Sequence, residues 1–220
     1  MSRDDGHAHT ANQSTTEIRV GTPTAKEAEA FAELALAAGG EIFAEAFGPR
    51  ANETLRKLYR LDRNFMSHEL TLFLWEGDEI AGMFSGYSST EKKQIFASNL
   101  WKFLRTSPLS LPRMIWKSMT LSNVLSFSEQ LGDGEFCVSF LAIKPQMRGR
   151  GLSRLLLSRG AEVAREKGSK TLMLCVEVDN DVAVNAYRRW GMEVVETSKP
   201  QAKPSGDGEW TMHRMIKPLS

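Results

Sequence analysis

The sequence has few cysteines and almost no net charge. Cys137 and Cys175 are its two thiols. Each sits inside an apolar run that reads as a strand, so two reduced core thiols are expected. The histidines are His7, His9, His68 and His213, and no Cys/His cluster has the spacing of a zinc site, so no metal is expected. A formal net charge of +1 provides no general field for nucleic acid or an anionic membrane. No apolar run approaches the roughly 20 residues that span a bilayer. Met1 to Thr16 lacks the apolar core of a secretory signal. Together these absences lead us to expect a cytoplasmic protein with no nucleic-acid or membrane partner.

What is present suits one ordinary globular domain carrying an insertion. The 220 residues can bury a large core without disulfides or metals. Residues 1–16 are polar and read as a disordered tail. The domain then runs over 17–220. Glu17 to Val20 reads as a first strand. Thr22 or Thr24 caps a helix running to about Ala38, which Gly39-Gly40 should stop. Ile42 to Gly48 is a short amphipathic piece, and Asn52 to Ser67 reads as another helix. Thr71 to Trp75 and Glu79 to Tyr87 form an expected hairpin about Gly77-Asp78. Residues 88–134 change character. Ile95 to Leu104 and Pro112 to Phe127 look helical and place Phe96, Trp101, Phe103 and Trp116 among Lys and Arg, which marks a helical insertion.

The second half is more regular. A strand over Glu135 to Ile143 leads into a helix over Gly151 to Lys167. The apolar run Lys170 to Val178 reads as a strand covered on both faces. Asp181 to Trp190 is a short helix, and Met192 to Thr197 and Trp210 to Ile216 close the sheet. Ser198 to Gly208, rich in Pro, Gly and Lys, reads as a loop. This order predicts a mixed sheet flanked by helices.

The chemistry-bearing segment is Gln146-Met-Arg148-Gly149-Arg150-Gly151-Leu152-Ser153, set directly between a strand and a helix. The first turn of a helix has unpaired N–H groups and partial positive charge. Glycines let the backbone approach an anion and adopt positive φ, and two arginines add charge, so a pyrophosphate is the expected ligand. Neither the P-loop pattern nor the dinucleotide G-x-G-x-x-G fits. The alternative is a plain glycine-rich turn with solvated arginines.

The stretch Phe140 to Ser153, with its Gln146-x-x-Gly149-x-Gly151 core, resembles the acyl-CoA motif of the GNAT superfamily of N-acetyltransferases. Asn180-x-x-Ala183-x-x-x-Tyr187-x-x-x-Gly191-Met192 resembles the downstream segment of the same family. The resemblance implies an α/β (α+β) fold with a mixed, mostly antiparallel central sheet, flanking helices and splayed central strands. It implies acetyl-CoA as co-substrate and an amine acceptor, either a small molecule or a peptide. It further implies that the backbone of Leu141, Ala142 and Ile143 holds the pantetheine arm. Gln146 and the N–H groups of Arg148, Gly149, Arg150, Gly151, Leu152 and Ser153 would hold the pyrophosphate, and Asn180 the cofactor arm. Tyr187 would stand near the sulfur as the acid, and a backbone N–H from Ile143 would polarise the thioester carbonyl.

Several points stay open. Tyr187 could instead be a core tyrosine packing a short helix. Glu177, a carboxylate interrupting the run Cys175-Val176-Glu177-Val178, is either the general base or half of an ion pair with a nearby arginine. Glu135 is a second candidate base, and ordered water a third. The insertion is either a wall over the acceptor, a helical pair packed on the sheet or a homodimer contact. A non-catalytic acyl-CoA-binding sensor or scaffold would share the phosphate turn, and a transferase using a longer acyl chain is a third reading.

Overall fold

The computed structural model describes residues 15–95, 127, 130–203 and 208–220. The helices expected over Ile95 to Leu104 and Pro112 to Phe127 lie outside these residues except for Ile95 and Phe127 themselves. The expected tail also lies outside them up to residue 14. Strand β1, Thr16–Val20, takes up the last residue assigned to that tail.

Helix α1 spans Ala25–Phe47, and the Thr24 side chain caps it by accepting from the Glu27 N–H at 3.3 Å. The expected stop at Gly39-Gly40 is a kink instead. Gly39 leaves helical geometry at φ −148° and ψ 37°, and the helix resumes. Packing explains the continuation, because Phe43 and Phe47 beyond the kink are buried in the same cluster as Phe31 and Leu34 before it. Helix α2 spans Ala51–Tyr59, shorter than the stretch expected to Ser67. Buried Asn64 ends it: its amide donates to Leu58 O at 2.9 Å and Leu61 O at 2.5 Å, and its Oδ1 accepts from Met66 N–H at 2.9 Å. Tyr59 then ties α2 to α1, donating to the buried Glu27 carboxylate at 2.9 Å.

Strands β2 (Thr71–Glu76) and β3 (Glu79–Ser88) form the expected hairpin, so Ser88 belongs to the sheet rather than to the insertion. Next come β4 (Glu135–Ile143), α3 (Leu152–Glu166), β5 (Thr171–Glu177), α4 (Asp181–Arg189) and β6 (Glu193–Thr197). The segment expected as a plain loop contains a small hairpin, β7 (Gln201–Ala202) with β8 (Glu209–Trp210), and β9 (Met212–Pro218) ends the sheet. Trp210 anchors the hairpin by packing on Ile42 of α1 and on Met212.

The seven-stranded sheet has the order β1-β2-β3-β4-β5-β9-β6, antiparallel at every junction except β4–β5. The fold is therefore the expected mixed, mostly antiparallel α/β sheet with helices on both faces. Helices α1 and α2 cover one face through Phe73, Met83, Phe140 and Ala142. Helix α3 covers the other through Phe84, Phe136, Leu172 and Leu174.

Gly160 sets how closely α3 approaches. A Cβ there would stand 2.3 Å from the Phe84 ring, and Phe84 is 1% exposed with nowhere to retreat. Gly160→Ala therefore loses stability, although alanine is the better helix former. Overpacking of about 1–3 kcal/mol outweighs a propensity gain of about 1 kcal/mol. A lowered denaturant midpoint is the expected reading, and an unchanged or raised midpoint would show that the helix moves freely on the sheet.

Candidate active site

The two central strands part company early. β4 and β5 pair only through Glu135↔Thr171, Phe136↔Leu172 and Cys137↔Met173, whereas β5 continues along β9 as far as Glu177. A bulge separates them. Gly86 faces Val138 and Ser85 faces Phe140, which leaves Ser139 as the extra residue on β4. Beyond Cys137, among the described residues, no strand pairs with the β5 side of β4. Its backbone groups there are aimed at a gap. Lys144 N–H donates to Ala81 O on the β3 side at 2.9 Å, so by alternation Ile143 and Leu141 turn their N–H groups toward the gap. Arg148 Nε donates to Ile143 O at 3.1 Å, leaving that N–H free of this contact.

The glycine-rich turn stands at the end of β4. Gly149 and Gly151 adopt φ +79° and +76°, a region that disfavours other residues, and a Cβ at either would meet nothing within 4 Å. Conformation, not space, requires glycine here. Gly151 is also the N-cap of α3 and brings no side chain to its first N–H groups. An uncapped helix N-terminus with exposed glycines is a ready cradle for an anion.

The arginine side chains are less free than their charge suggests. Arg150 grips the nearly buried Glu76 carboxylate through both terminal guanidinium nitrogens, at 2.6 and 2.7 Å, and pins the turn to the end of β2. Arg148 is turned back to Ile143. What 148–153 offer a ligand is mainly backbone. Gln146 lies exposed in a short 3-10 turn, Pro145–Met147, just before it.

Asn180 is the N-cap of α4, its Oδ1 accepting from Ala183 N–H at 3.2 Å. Two turns on, Tyr187 is partly buried and packs against the α3-side core. Burial alone pushes its hydroxyl up to about 12, so the phenol keeps its proton at neutral pH. Glu177 lies on the opposite face. It shares the β5 alternation of Met173 and Cys175, which pack with Cys137 away from α3. Burial is the largest cause raising its pKa, the nearby Lys203 opposes it, and Asp179 and Glu41 add to the rise. Among the described residues no arginine pairs with it, and Lys203 bridges Glu41 of α1 at 3.5 Å.

Glu135 is otherwise engaged. It accepts from Arg214 at 2.6 Å and from Gly132 N–H at 2.7 Å, at the end of β4 that is still paired with β5. That ion pair makes it a structural group. Burial pushes the Cys137 thiol up to about 11 and the Cys175 thiol up to about 12, so both stay protonated. No group of three His, Cys, Asp or Glu among the described residues could hold a metal ion, and no helix there is long and apolar enough to cross a membrane.

A parted parallel pair, a bulge and a glycine cradle at one strand end form a specific combination. The model of the acetyltransferase (GNAT) family matches residues 36–192, more than half of the chain. The chain belongs to that family. Over 59 residues this GNAT chain is 42% identical to the mycothiol acetyltransferase of Corynebacterium aurimucosum, a stretch covering 27% of this chain and 19% of that one. The chain thus spans about a fifth of that curated relative. The ribosomal-protein-S18-alanine N-acetyltransferase of Escherichia coli superposes with a TM-score of 0.54 at 17% identity, covering 94% of this chain and 95% of the other. A Bacillus subtilis acetyltransferase in complex with CoA gives 0.55 at 14% identity, covering 94% and 100%. These two likenesses establish the GNAT fold.

Proposed function

We propose that this GNAT protein transfers the acetyl group of acetyl-CoA to a primary amine by direct attack when both are bound. The observation that carries the reading is the open β4–β5 gap leading to the uncapped, glycine-flanked start of α3. A pantetheine arm would add to the β4 edge at Leu141 to Ile143, the pyrophosphate would sit on the N–H groups of 148–153, and Asn180 would offer its side-chain amide nitrogen. The solved relative that holds CoA on the same fold supports this. The acetyl thioester supplies an activated carbonyl, and the chain's groups do the rest.

The acid and the base would act from opposite faces of the sheet. The amine nitrogen bonds to the carbonyl carbon as the C–S bond breaks. Glu177 takes a proton from the amine on the α1 side. Tyr187 gives one to the departing sulfur on the α3 side. The products are the N-acetylated amine and the free thiol, and solvent restores both side chains. Ile143 N–H, aimed at the gap, would stabilise charge on the carbonyl oxygen. Holding both reactants in line would supply much of the rate.

Thiol release from acetyl-CoA across a panel of primary amines tests this reading. The panel should include small amines and peptides beginning with alanine, since relatives named for a small thiol and for a ribosomal alanine differ on that point. Tight acetyl-CoA binding with no thiol release from any amine would favour a binding module instead. Glu177→Gln then separates the base. The wild-type rate should rise as pH climbs through the elevated Glu177 pKa, and the variant should lose that limb and about 10²-fold or more in kcat. Stability should move the other way. A raised folded-state pKa means that folding favours the protonated acid, so this group's contribution is greatest below its unfolded pKa and is lost as pH rises through the folded one. Glu177→Gln should therefore be as stable as wild type at neutral pH, or more so. An unchanged pH profile removes Glu177 from the base role.

A further inference from the structure

Two hydroxyls on the α1 side of the sheet are buried with no oxygen or nitrogen hydrogen-bond partner among the described residues, and the Cys137 thiol beside Ser139 is only a weak substitute. They are Ser85 Oγ, in a residue 0% exposed, and Ser139 Oγ. A buried hydroxyl without a partner costs stability, and alanine at either site would remove that cost. The fold alone gives no reason for them.

Their placement does. Ser139 is the extra residue of the bulge, two positions past the last β4–β5 pair, so it borders the gap. The bulge brings consecutive side chains to one face: Phe140 packs against Phe31 and Phe43 of α1, and Ser139 lies beside the Cys137 thiol, which packs on the same side. Ser85 faces Phe140 across the β3–β4 ladder and so shares that face. Glu177 stands on it too, across the gap. Ser85 is paired with Phe140, the residue next to Ser139, so the two serines are neighbours across the β3–β4 ladder. That adjacency suits two polar groups on neighbouring atoms of one ligand, each reaching outward to one serine.

We infer that Ser85 and Ser139 bind the acceptor, and that the acceptor is an amine with a second hydrogen-bonding group on the adjacent carbon, such as an α-amino amide or a vicinal amino alcohol, rather than a plain alkylamine or a lysine side chain. Ser139, at the gap, accepts from the attacking amine, and Ser85 takes the neighbouring hydroxyl or carbonyl. This rests on the acetyltransferase reading above and narrows its acceptor.

The test compares L-alaninamide with propylamine as acceptors at equal concentrations of neutral amine, in wild type, Ser85→Ala and Ser139→Ala. Wild type should favour alaninamide in kcat/KM by about tenfold, as two hydrogen bonds allow. Ser85→Ala should lose about five- to tenfold with alaninamide and stay within about twofold with propylamine, at an unchanged KM for acetyl-CoA. Ser139→Ala should lower both. Neither variant should melt below wild type. A wild type with equal or reversed preference overturns the inference alone, as does a Ser85→Ala that keeps its preference or that melts several degrees lower while slowing both amines alike. A wild type that turns over no amine overturns the acetyltransferase reading and this inference together.

Discussion

Gly149→Glu should abolish measurable acetyl-CoA binding while leaving the protein folded. The two parts of the change act together. Gly149 sits at φ +79°, where a residue with a Cβ pays about 1–2 kcal/mol, so the turn shifts away from its cradle geometry. The new carboxylate then stands where the pyrophosphate would bind, and two like charges about 4 Å apart repel by several kcal/mol at the dielectric of a protein surface. A loss of about 10²-fold or more in affinity follows. Gly149→Ala isolates the backbone part and should lose only about tenfold, consistent with the conformational penalty alone. Calorimetry on the three proteins reads both effects, with circular dichroism confirming the fold. A Gly149→Glu protein that binds acetyl-CoA as wild type does would remove the ligand from this turn. Because Gly149 is exposed and a Cβ there meets nothing, neither variant has a steric reason to unfold.

How much of this site could be read from sequence depended on how local each cause was. The glycine turn was legible because positive φ is a single-residue demand that glycine alone meets easily, and it lay between two strongly patterned elements. The run Phe136 to Ile143 and the stripe Leu152, Leu155, Leu156, Val163 and Ala164 fixed β4 and α3 to within a residue, although Leu155 of that stripe is exposed to solvent. Helix ends decided by tertiary contact were not legible. Gly39-Gly40 looks like a stop, yet Phe43 and Phe47 gain more by staying in the core than Gly39 loses at the kink. Asn64 looked like one residue of a helix, yet its side chain takes the carbonyls of Leu58 and Leu61 and turns the chain. The small hairpin depended on Trp210 finding Ile42, a partner 168 positions away, which no local pattern announces.

The aim of charged side chains was equally hard to read. Two arginines beside two glycines suggested side chains reaching for phosphate, but Glu76 captures Arg150 from the far end of another strand. The bulge left one trace that went unread. Ser139 interrupts Cys-Val-Ser-Phe-Leu, and Ser85 interrupts Met-Phe-Ser-Gly-Tyr. A serine in an apolar run signals something only after the strands are paired, because the pairing shows that both hydroxyls are buried on one face. Glu177 is the same signal in a louder form. A carboxylate in a core strand stood out at once, and its environment keeps it half-buried and without an arginine.

Tyr187→Phe should lower kcat sharply while leaving both the fold and acetyl-CoA affinity nearly intact. The phenol belongs to the residue of α4 that packs against the α3-side core, and burial alone moves its pKa, with no charged or hydrogen-bonding neighbour among the described residues contributing. Its loss therefore breaks no protein contact, and the melting temperature should hold or rise slightly. The aromatic ring stays, so any wall it would give the cofactor arm stays too, and the acetyl-CoA dissociation constant should remain within about twofold. What would go, under the proposed mechanism, is the proton for the departing sulfur. Positioned proton transfer contributes about 10²–10⁴-fold, and a thiolate is a fair leaving group on its own, so a drop near the lower end of that range is expected. The pH profile gives the second reading. With the hydroxyl pushed up to about 12, wild type should show no loss of its acid between pH 7 and 10. Wild-type turnover in the phenylalanine variant would assign the sulfur's proton to water and leave Tyr187 as packing for α4.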